Sequence, residues 1–370
     1  MAANFAFFLN FASFFLLPLF VKELGGSEST IGWVMGAGGL ATLVTLPLVA
    51  AWIDRVSRTL LFTAGSLTMT LAALGYLFVH EVGPFLFSLR LVQGLAFGAA
   101  FTASTTLAAS LAPEHMRARA LGWFGISTLL THALAPAIGE ELIHRAGFPA
   151  LFLAAAGCSV AAAGGMLSVS EQVGEPPALP RVAPLPRAHY WVAAVMVLFG
   201  MGFGCVTTYA ASFIKTEHLG RVGVFFTAYT SSAIAVRLFG GSLSDRWGRS
   251  VVIVPALVAL AGSIFALSRI QGTVGLVSTG TLFGLAQGLA YPTLHAFLVD
   301  LSPTQVLGKA QALFNGAFNL GVMSSAFLFG MVADMWGQRS MFGLAALAPL
   351  AAAAVFGAGV RHRYPRWLST

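Results

Sequence analysis

Long runs of apolar residues, separated by short polar segments, recur along the whole chain. Each run is long enough to cross about 30 Å of hydrocarbon as a helix, which takes about 20 residues. The runs are continuously apolar rather than alternating, so they favour helices over a transmembrane β-barrel. The pattern predicts twelve transmembrane helices, called spans 1 to 12: residues 2–22, 29–53, 60–79, 84–111, 117–142, 148–169, 190–214, 222–244, 251–269, 275–300, 305–332 and 338–360.

Composition supports this prediction. Of 370 residues, 57% are hydrophobic and 9% are charged, whereas a soluble domain carries about 25% charged residues. The spans leave no room for an extramembrane domain, which excludes a soluble enzyme, a nucleic-acid-binding protein and a disordered chain. No nucleophile–base pair, metal cluster or phosphate-binding loop is visible. We therefore expect no enzymatic activity, no metal site, no cofactor and no nucleic-acid partner.

The distribution of basic residues predicts the orientation. Twelve Lys and Arg residues lie in the loops on one side and six on the other, and positive residues favour the cytoplasmic side. We therefore expect a multi-pass protein of the inner (cytoplasmic) membrane with both termini in the cytoplasm. The predicted cytoplasmic set is Arg55, Arg58, Arg117, Arg119, Arg181, Arg187, Arg246, Arg249, Lys309, Arg361, Arg363 and Arg366.

The two halves of the chain resemble each other. LAPEHMRARAL (Leu111–Leu121) aligns with LSPTQVLGKAQ (Leu301–Gln311), and VQGLA (Val92–Ala96) aligns with AQGLA (Ala286–Ala290). Gly147 also pairs with Gly337 at nearly the same offset. Between the halves lies a proline-rich segment, which is typical of a linker. The predicted domains are an N-terminal six-helix bundle (1–170), a cytoplasmic linker (171–188) and a C-terminal six-helix bundle (189–370).

A loop motif identifies a family. GSLSDRWGRS (Gly241–Ser250) resembles the signature G-x-L-x-D-R-x-G-R of the major facilitator superfamily, and AAWIDRVSRT (Ala50–Thr59) is a degenerate first-half copy. The resemblance implies an all-α membrane protein with twelve transmembrane helices in two pseudo-symmetric six-helix bundles, working by alternating access about a central cavity. GMVADMWGQR (Gly330–Arg339) is a third and weaker copy of the loop motif.

The loop motifs are candidate gating elements. Asp54 and Asp245 end spans 2 and 8 at the predicted cytoplasmic face, where spans 5 and 11 begin, and a carboxylate beside a helix N-terminus is stabilised by the dipole. Each half could thereby hold the other closed. The alternative is an ordinary positive turn with a solvated Asp. The candidate gating residues are Asp54, Arg55, Arg58, Gly241, Asp245, Arg246, Gly248 and Arg249.

Span 4 contains the most informative charge. Arg90 lies about seven residues inside the span, where an arginine costs about 2.5–3.5 kcal/mol on insertion scales. LRLVQGLAFGAA (Leu89–Ala100) resembles the span-4 signature of the drug:proton antiporter branch. The resemblance implies that Arg90 couples transport to protons and that Gly94 and Gly98 permit close helix packing. The alternative is a structural arginine that snorkels to the outer interface.

Arg90 needs an acceptor and a proton carrier nearby. The expected acceptors are the His132 carbonyl freed by Pro136, the Glu140–Glu141 pair, or the substrate. The candidate proton carriers are His132, His295 and the Glu140–Glu141 pair, of which His132 and Glu140 are assigned to proton coupling. His132 could titrate near neutral pH, or it could be a buried neutral histidine bonded to a backbone carbonyl. Arg237 in span 8 is expected to snorkel toward the cytoplasm or to pair locally.

The resemblance also implies that spans 1, 4, 7 and 10 line the substrate cavity. The candidate cavity residues are Asn10, Phe11, Arg90, Gln93, Thr207, Tyr209, Gln287, Tyr291 and His295. Most of the phenylalanines of span 1 are expected to face lipid, and only Phe7, Phe11 and Phe14 could share a face with Asn10. Spans 1, 4 and 7 contain no internal Asp or Glu, and a cavity for organic cations would normally offer a buried carboxylate. The pattern therefore favours a neutral or anionic substrate.

Together these observations predict a monomeric secondary transporter in the lipid bilayer. The expected activity is export of a small amphipathic, neutral or anionic compound by proton antiport, with the proton gradient as energy source and no cofactor. One alternative is an uptake permease or uniporter for a small metabolite, such as a sugar or an organic anion. Another is a non-transporting receptor or lipid-handling protein on the same fold, which the repeated gating motif disfavours.

Overall fold

A computed structural model describes residues 1–53, 56–111, 117–169, 184–240, 243–303 and 306–361, which are almost entirely helical. Span 1 consists of Ala2–Ser13, a 3-10 turn at Phe14–Leu16 and Leu17–Glu23. The remaining helices are Glu28–Trp52, Arg58–Gly75 with a 3-10 turn at Tyr76–Phe78, Pro84–Leu111, Arg117–Leu167, Arg187–Thr216, Val222–Phe239, Leu243–Trp247, Arg249–Leu267, Gly272–Leu301, Leu307–Ala345 and Leu347–Val355. A π-helical turn, Phe356–Arg361, follows the last of these.

Two glycines turn the ten long apolar helical segments of the described residues into twelve membrane crossings. The helix Arg117–Leu167 has 51 residues, or about 75 Å at 1.5 Å per residue, which is too long for one crossing. It breaks at Gly147 (φ +73°), and Leu307–Ala345 breaks at Gly337 (φ +81°). Because glycine adopts positive φ without steric penalty, these equivalent positions separate spans 5 and 6 and spans 11 and 12. The predicted twelve-span helical fold is confirmed.

The chain forms two compact units, Met1–Pro177 and Ala178–Thr370. The same helix pairs pack together in both units. In the first unit, span 1 packs with spans 5 and 6, and span 4 packs with spans 2 and 3. In the second unit, span 7 packs with spans 11 and 12, and span 10 packs with spans 8 and 9. This correspondence supports the repeat seen in the sequence. Residues 171–183 of the predicted linker lie outside the described residues, and span 7 begins at Arg187.

Small residues set the separation of spans 2 and 4. A Cβ at Gly94 would collide with the Gly38 carbonyl oxygen and would lie 2.7 Å from the Cβ of Ala41. The Thr42 hydroxyl oxygen lies 3.0 Å from the carbonyl oxygens of both glycines. Membrane helices associate through such close packing, because the hydrophobic effect does not drive association between helices that are already in apolar lipid. The predicted close approach at Gly94 is confirmed.

The prediction that most span 1 phenylalanines face lipid is wrong. Among those predicted to face lipid, Phe8 is 3% exposed, and Phe15 and Phe20 are each 7% exposed. Span 1 is covered on several sides, with rings from spans 3, 4 and 6 against its own. A helix that is apolar all round is typical of a buried position, and lipid exposure was the wrong interpretation of that pattern.

Candidate functional site

Arg90 lies in a polar network within the first unit. Its Nη1 donates to the Gln93 side-chain oxygen Oε1 at 3.1 Å, and the Tyr76 hydroxyl donates to the same oxygen at 2.8 Å. The Arg90 Nη2 lies 3.4 Å from the sulfur of Met35. These four residues, called the Arg90 network, join spans 2 and 4 to the 3-10 turn that ends span 3.

Local geometry explains how the network is held. Gln93 follows Arg90 by three residues, so both side chains lie on one face of span 4. On span 2, a Cβ at Gly38 would lie 2.9 Å from Arg90 Nε, so this glycine makes room for the guanidinium. Tyr76 is 1% exposed and Gln93 2%. Arg90 and Met35 are partly exposed, so the network is buried on the Tyr76 and Gln93 side and open on the other.

The two protein acceptors predicted for Arg90, the His132 carbonyl and the Glu140–Glu141 pair, are not among its hydrogen-bond partners, and the third alternative, the substrate, stays a prediction. The contacts of Arg90 are Gln93 and Met35, both neutral. Within the part of the chain that the structure describes, no carboxylate oxygen lies within 4 Å of the Arg90 guanidinium. No sequence motif marked Tyr76 or Met35. The sequence features that could have marked them are the polar side chain of Tyr76 in span 3 and the glycine-rich stretch around Met35 in span 2.

The two predicted proton carriers both lie on span 5. The His132 ring packs edge-on against Phe15, with the ring centroids 4.9 Å apart. Glu140 is 6% exposed, whereas its neighbour Glu141 lies nearer the surface and forms an ion pair with Arg145 at 2.7 Å. Glu140 is thus the buried carboxylate of this pair.

The cavity candidates of the first unit point to different neighbours. Asn10 is fully buried, and its amide nitrogen donates to the Ala155 carbonyl at 2.8 Å, which ties span 1 to span 6. Phe11 stacks on Phe97 of span 4, with centroids 4.1 Å apart. Both rings are partly exposed.

In the second unit, two candidates on span 7 bond within their own bundle. Thr207 donates to the Phe203 carbonyl at 3.1 Å, and the fully buried Tyr209 donates its hydroxyl to the Ala326 carbonyl of span 11. On span 10, Gln287 is 5% exposed, whereas Tyr291 and His295 are partly exposed.

Tyr291 and His295 face span 11. The Tyr291 hydroxyl lies 3.5 Å from the Asn315 side-chain oxygen, and the His295 ring packs edge-on against Phe314 at 5.4 Å. Tyr291 and His295, four residues apart on span 10, therefore both contact span 11.

The gating candidates are described in part. Asp54, Arg55 and Gly241 lie outside the described residues, as does the side chain of Asp245. Arg246 is exposed. Arg249 begins the helix of span 9 and forms an ion pair with Asp300, with its Nε 2.7 Å from the carboxylate, which joins that helix start to the end of span 10.

The second glycine of the loop signature has a backbone role. Gly248 has φ +86° and ψ 136° at the position before the span 9 helix. At the equivalent place in the first half, Ser57 has φ −55°, and its hydroxyl accepts from the Leu60 N–H at 3.3 Å, capping the helix that begins at Arg58. The degenerate copy thus replaces a positive-φ turn with a serine N-cap.

We expect Gly248→Ala to destabilise the protein by about 1–3 kcal/mol, because only glycine adopts this backbone conformation without strain. The cause would be the dihedral angle alone, since no atom lies within 4 Å of a Cβ built there. Thermal unfolding in detergent measures the effect. Gly262→Ala is the matched control, because Gly262 lies within the same span with open space around it. Equal melting temperatures for the two variants would contradict this role.

Two polar contacts of the second unit were missed from the sequence. His189 at the start of span 7 is fully buried, and its Nε2 lies 2.8 Å from the Ser302 hydroxyl oxygen at the end of span 10. Arg339 donates to Glu217 at 2.8 Å and to two carbonyls that follow span 9. It thereby joins the end of span 7, the end of span 9 and the start of span 12. Arg339 belongs to the third copy of the loop motif, but the residues to which it bonds are distant from it in sequence.

Comparison with known proteins identifies the family. The model of the Major Facilitator Superfamily matches residues 1–220 and 192–368. An uncharacterized MFS-type transporter of Salmonella typhimurium is 27% identical over 96% of this chain and 94% of its own length. The staphylopine export protein of Staphylococcus aureus is 23% identical over 88% of this chain and 86% of its own length.

Solved structures show the same fold. The nucleoside transporter NupG superposes with a TM-score of 0.78 at 14% identity, covering 96% of this chain and 96% of that one. The human organic anion transporter MFSD10 gives a TM-score of 0.68 at 14% identity, covering 96% and 97%. The chain therefore belongs to the major facilitator superfamily and is a multi-pass membrane transporter, not an enzyme.

Proposed function

We propose that the protein exports a small amphipathic organic compound, neutral or anionic, in exchange for protons. The single observation that carries this proposal is the Arg90 network, in which a guanidinium inside span 4 meets only neutral acceptors. Among the relatives, the staphylopine export protein and a multi-drug resistance efflux pump homologue of Lactococcus lactis are exporters by name. The second is 23% identical over 88% of this chain and 84% of its own length.

An arginine without a carboxylate partner could couple proton and substrate through its charge. A positive charge without a carboxylate partner favours the ionised form of any nearby acid and disfavours a protonated histidine. An anionic or strongly dipolar substrate would also be attracted to it. Proton and substrate would then influence each other through one fixed charge, which is what exchange requires. The lack of internal acids in spans 1, 4 and 7 favours neutral and anionic substrates over cations.

The proposal assigns proton transfer to span 5. Transport is measured in liposomes with and without an imposed pH gradient. If Glu140 carries the proton, Glu140→Gln should lower the rate with the gradient to the rate without it. If His132 carries the proton, His132→Gln should do so. Substrate binding should persist, because neither side chain contacts Arg90. Glu141→Gln is the control, since Glu141 is paired with Arg145 near the surface. Full stimulation in both single variants and in the double variant would contradict this assignment.

Orientation is part of the same proposal. In a variant lacking Cys158 and Cys205, single cysteines at Pro184 and Thr370 should react with a membrane-impermeant maleimide only after the cells are opened. A cysteine at Glu81, in the exposed loop between spans 3 and 4, should react in intact cells and serves as the control. Labelling of position 184 or 370 from outside would overturn the inner-face assignment of the termini and of the gating residues.

A further inference from the structure

Arg237 is an arginine within a membrane span whose donors find no acceptor among the described residues. It lies two residues before the end of the helix Val222–Phe239 and is partly buried, with its Nε fully enclosed. Across the described ranges, its guanidinium makes no hydrogen bond and has no carboxylate within 4 Å. Of the two predicted alternatives, the described residues show no hydrogen-bonded local pair, and snorkelling toward the cytoplasm stays a prediction.

Other arginines of the same unit show the contrast. Arg339 donates to one carboxylate and two carbonyl oxygens, and Arg249 pairs with Asp300. A guanidinium carries five N–H donors and stays charged in proteins. Snorkelling toward the interface would hydrate its terminal nitrogens, but it leaves the buried Nε unsatisfied. An oxygen-bearing ligand would satisfy these donors.

Arg237 lies where span 8 packs against span 10, close in sequence to the positions in contact. A Cβ at Gly288 of span 10 would lie 2.6 Å from the side chain of Val236, the residue before Arg237. Tyr291 follows Gly288 by three residues and so lies on the same face of span 10, and its hydroxyl lies 3.5 Å from the Asn315 side-chain oxygen. The Tyr291 ring packs against Phe314 and Phe318, with centroids 5.7 and 5.5 Å apart. Tyr291, Asn315 and Phe318 are all partly exposed. A charged head and a flat apolar body would each find a partner here.

We propose that Arg237, Tyr291 and Asn315 bind the anionic group of an organic anion whose aromatic body packs against Phe318. An arginine fork binds carboxylate, sulfonate or phosphate oxygens through two parallel hydrogen bonds. This inference rests on the proposed transport of neutral or anionic compounds and narrows the substrate class to amphipathic anions. The anion site lies between spans 8, 10 and 11, separate from the Arg90 network of the first unit.

Equilibrium binding to the purified full-length protein in nanodiscs tests the anion site without a proton gradient. The probes are radiolabelled benzenesulfonate, benzoate and phenyl phosphate, with benzenesulfonamide as the neutral analogue. At least one anion should bind more tightly than the neutral analogue. Its Kd should rise about tenfold or more in Arg237→Gln, since tenfold corresponds to about 1.4 kcal/mol and a hydrogen bond to a charged group is worth about 1.5–3 kcal/mol.

Two further variants keep the test decisive. Arg187→Gln removes an exposed arginine at the start of span 7 and should leave Kd unchanged. Arg237→Lys keeps the charge but loses the planar fork, so it should also weaken binding, and it replaces Arg237→Gln if that variant does not fold. Equal Kd values in wild type, Arg237→Gln and Arg237→Lys, or no preference for any anion, would overturn the anion site. Anion binding could be found without proton exchange, and proton exchange could be found without anion binding at Arg237. The binding and transport measurements therefore test the two proposals separately.

Discussion

Arg90→Lys should lose most gradient-driven transport while expressing and folding normally, and Arg90→Ala should lose all of it. The guanidinium contacts Gln93 at 3.1 Å and the Met35 sulfur at 3.4 Å through two different nitrogens. Lysine is a compact point charge and cannot make both contacts from one position. Loss of a hydrogen bond from a charged group, about 1.5–3 kcal/mol, corresponds to roughly a tenfold or greater loss of rate. Initial transport rates in liposomes with an imposed pH gradient measure it.

Arg145→Lys is the matched control for this experiment. Arg145 belongs to the same unit but is exposed and pairs with Glu141, so its replacement should leave the rate unchanged. Size-exclusion profiles and melting temperatures establish that the Arg90 variants are folded. If gradient-driven transport persisted in Arg90→Ala, it would contradict the antiport proposal and favour a uniporter.

Gly94→Ala should both destabilise the protein and inactivate it. Its added methyl group would meet the Gly38 carbonyl oxygen and the Ala41 Cβ, which are backbone or backbone-attached atoms that cannot turn aside. Overpacking of this kind costs about 1–3 kcal/mol and more where the backbone must shift. Span 2 would move away from span 4 and carry Met35 out of the Arg90 network. Melting temperature and transport rate should fall together.

The control for Gly94 is Gly157→Ala in span 6. Gly157 has no atom within 4 Å of a built Cβ, and alanine has the higher helix propensity, so stability should be equal or slightly greater. If Gly94→Ala retained the wild-type melting temperature, the packing of spans 2 and 4 would be looser than the structure indicates.

The fold was predictable because bilayer thickness sets the length of each apolar run. The predicted and observed limits of span 4, residues 84–111, coincide. Gly147 and Gly337 fall between predicted spans, where the structure breaks its two longest helices. The phenylalanines of span 1 were misassigned because hydrophobicity does not distinguish lipid from a neighbouring helix.

The site was predictable only where a motif marked it. Arg90 and Gln93 belong to one short pattern and meet in the structure. Met35 lies 55 residues from Arg90, and Tyr76 lies 17 from Gln93, so those contacts depend on tertiary packing. The same holds for Arg237: its position in span 8 is plain from sequence, but its lack of acceptors among the described residues emerges only once its neighbours are known.

The most direct test of proton-coupled export uses wild-type protein in liposomes that are acidic inside, with a trapped pH indicator and a panel of labelled neutral and anionic compounds. Protons leaving through an exchanger would drive substrate inward. We therefore expect at least one compound to accumulate above its external concentration, with a matching rise in internal pH, and to leave again when an ionophore collapses the gradient. Equilibration of that compound to its external concentration, at the same rate with and without the gradient, would contradict proton-coupled export.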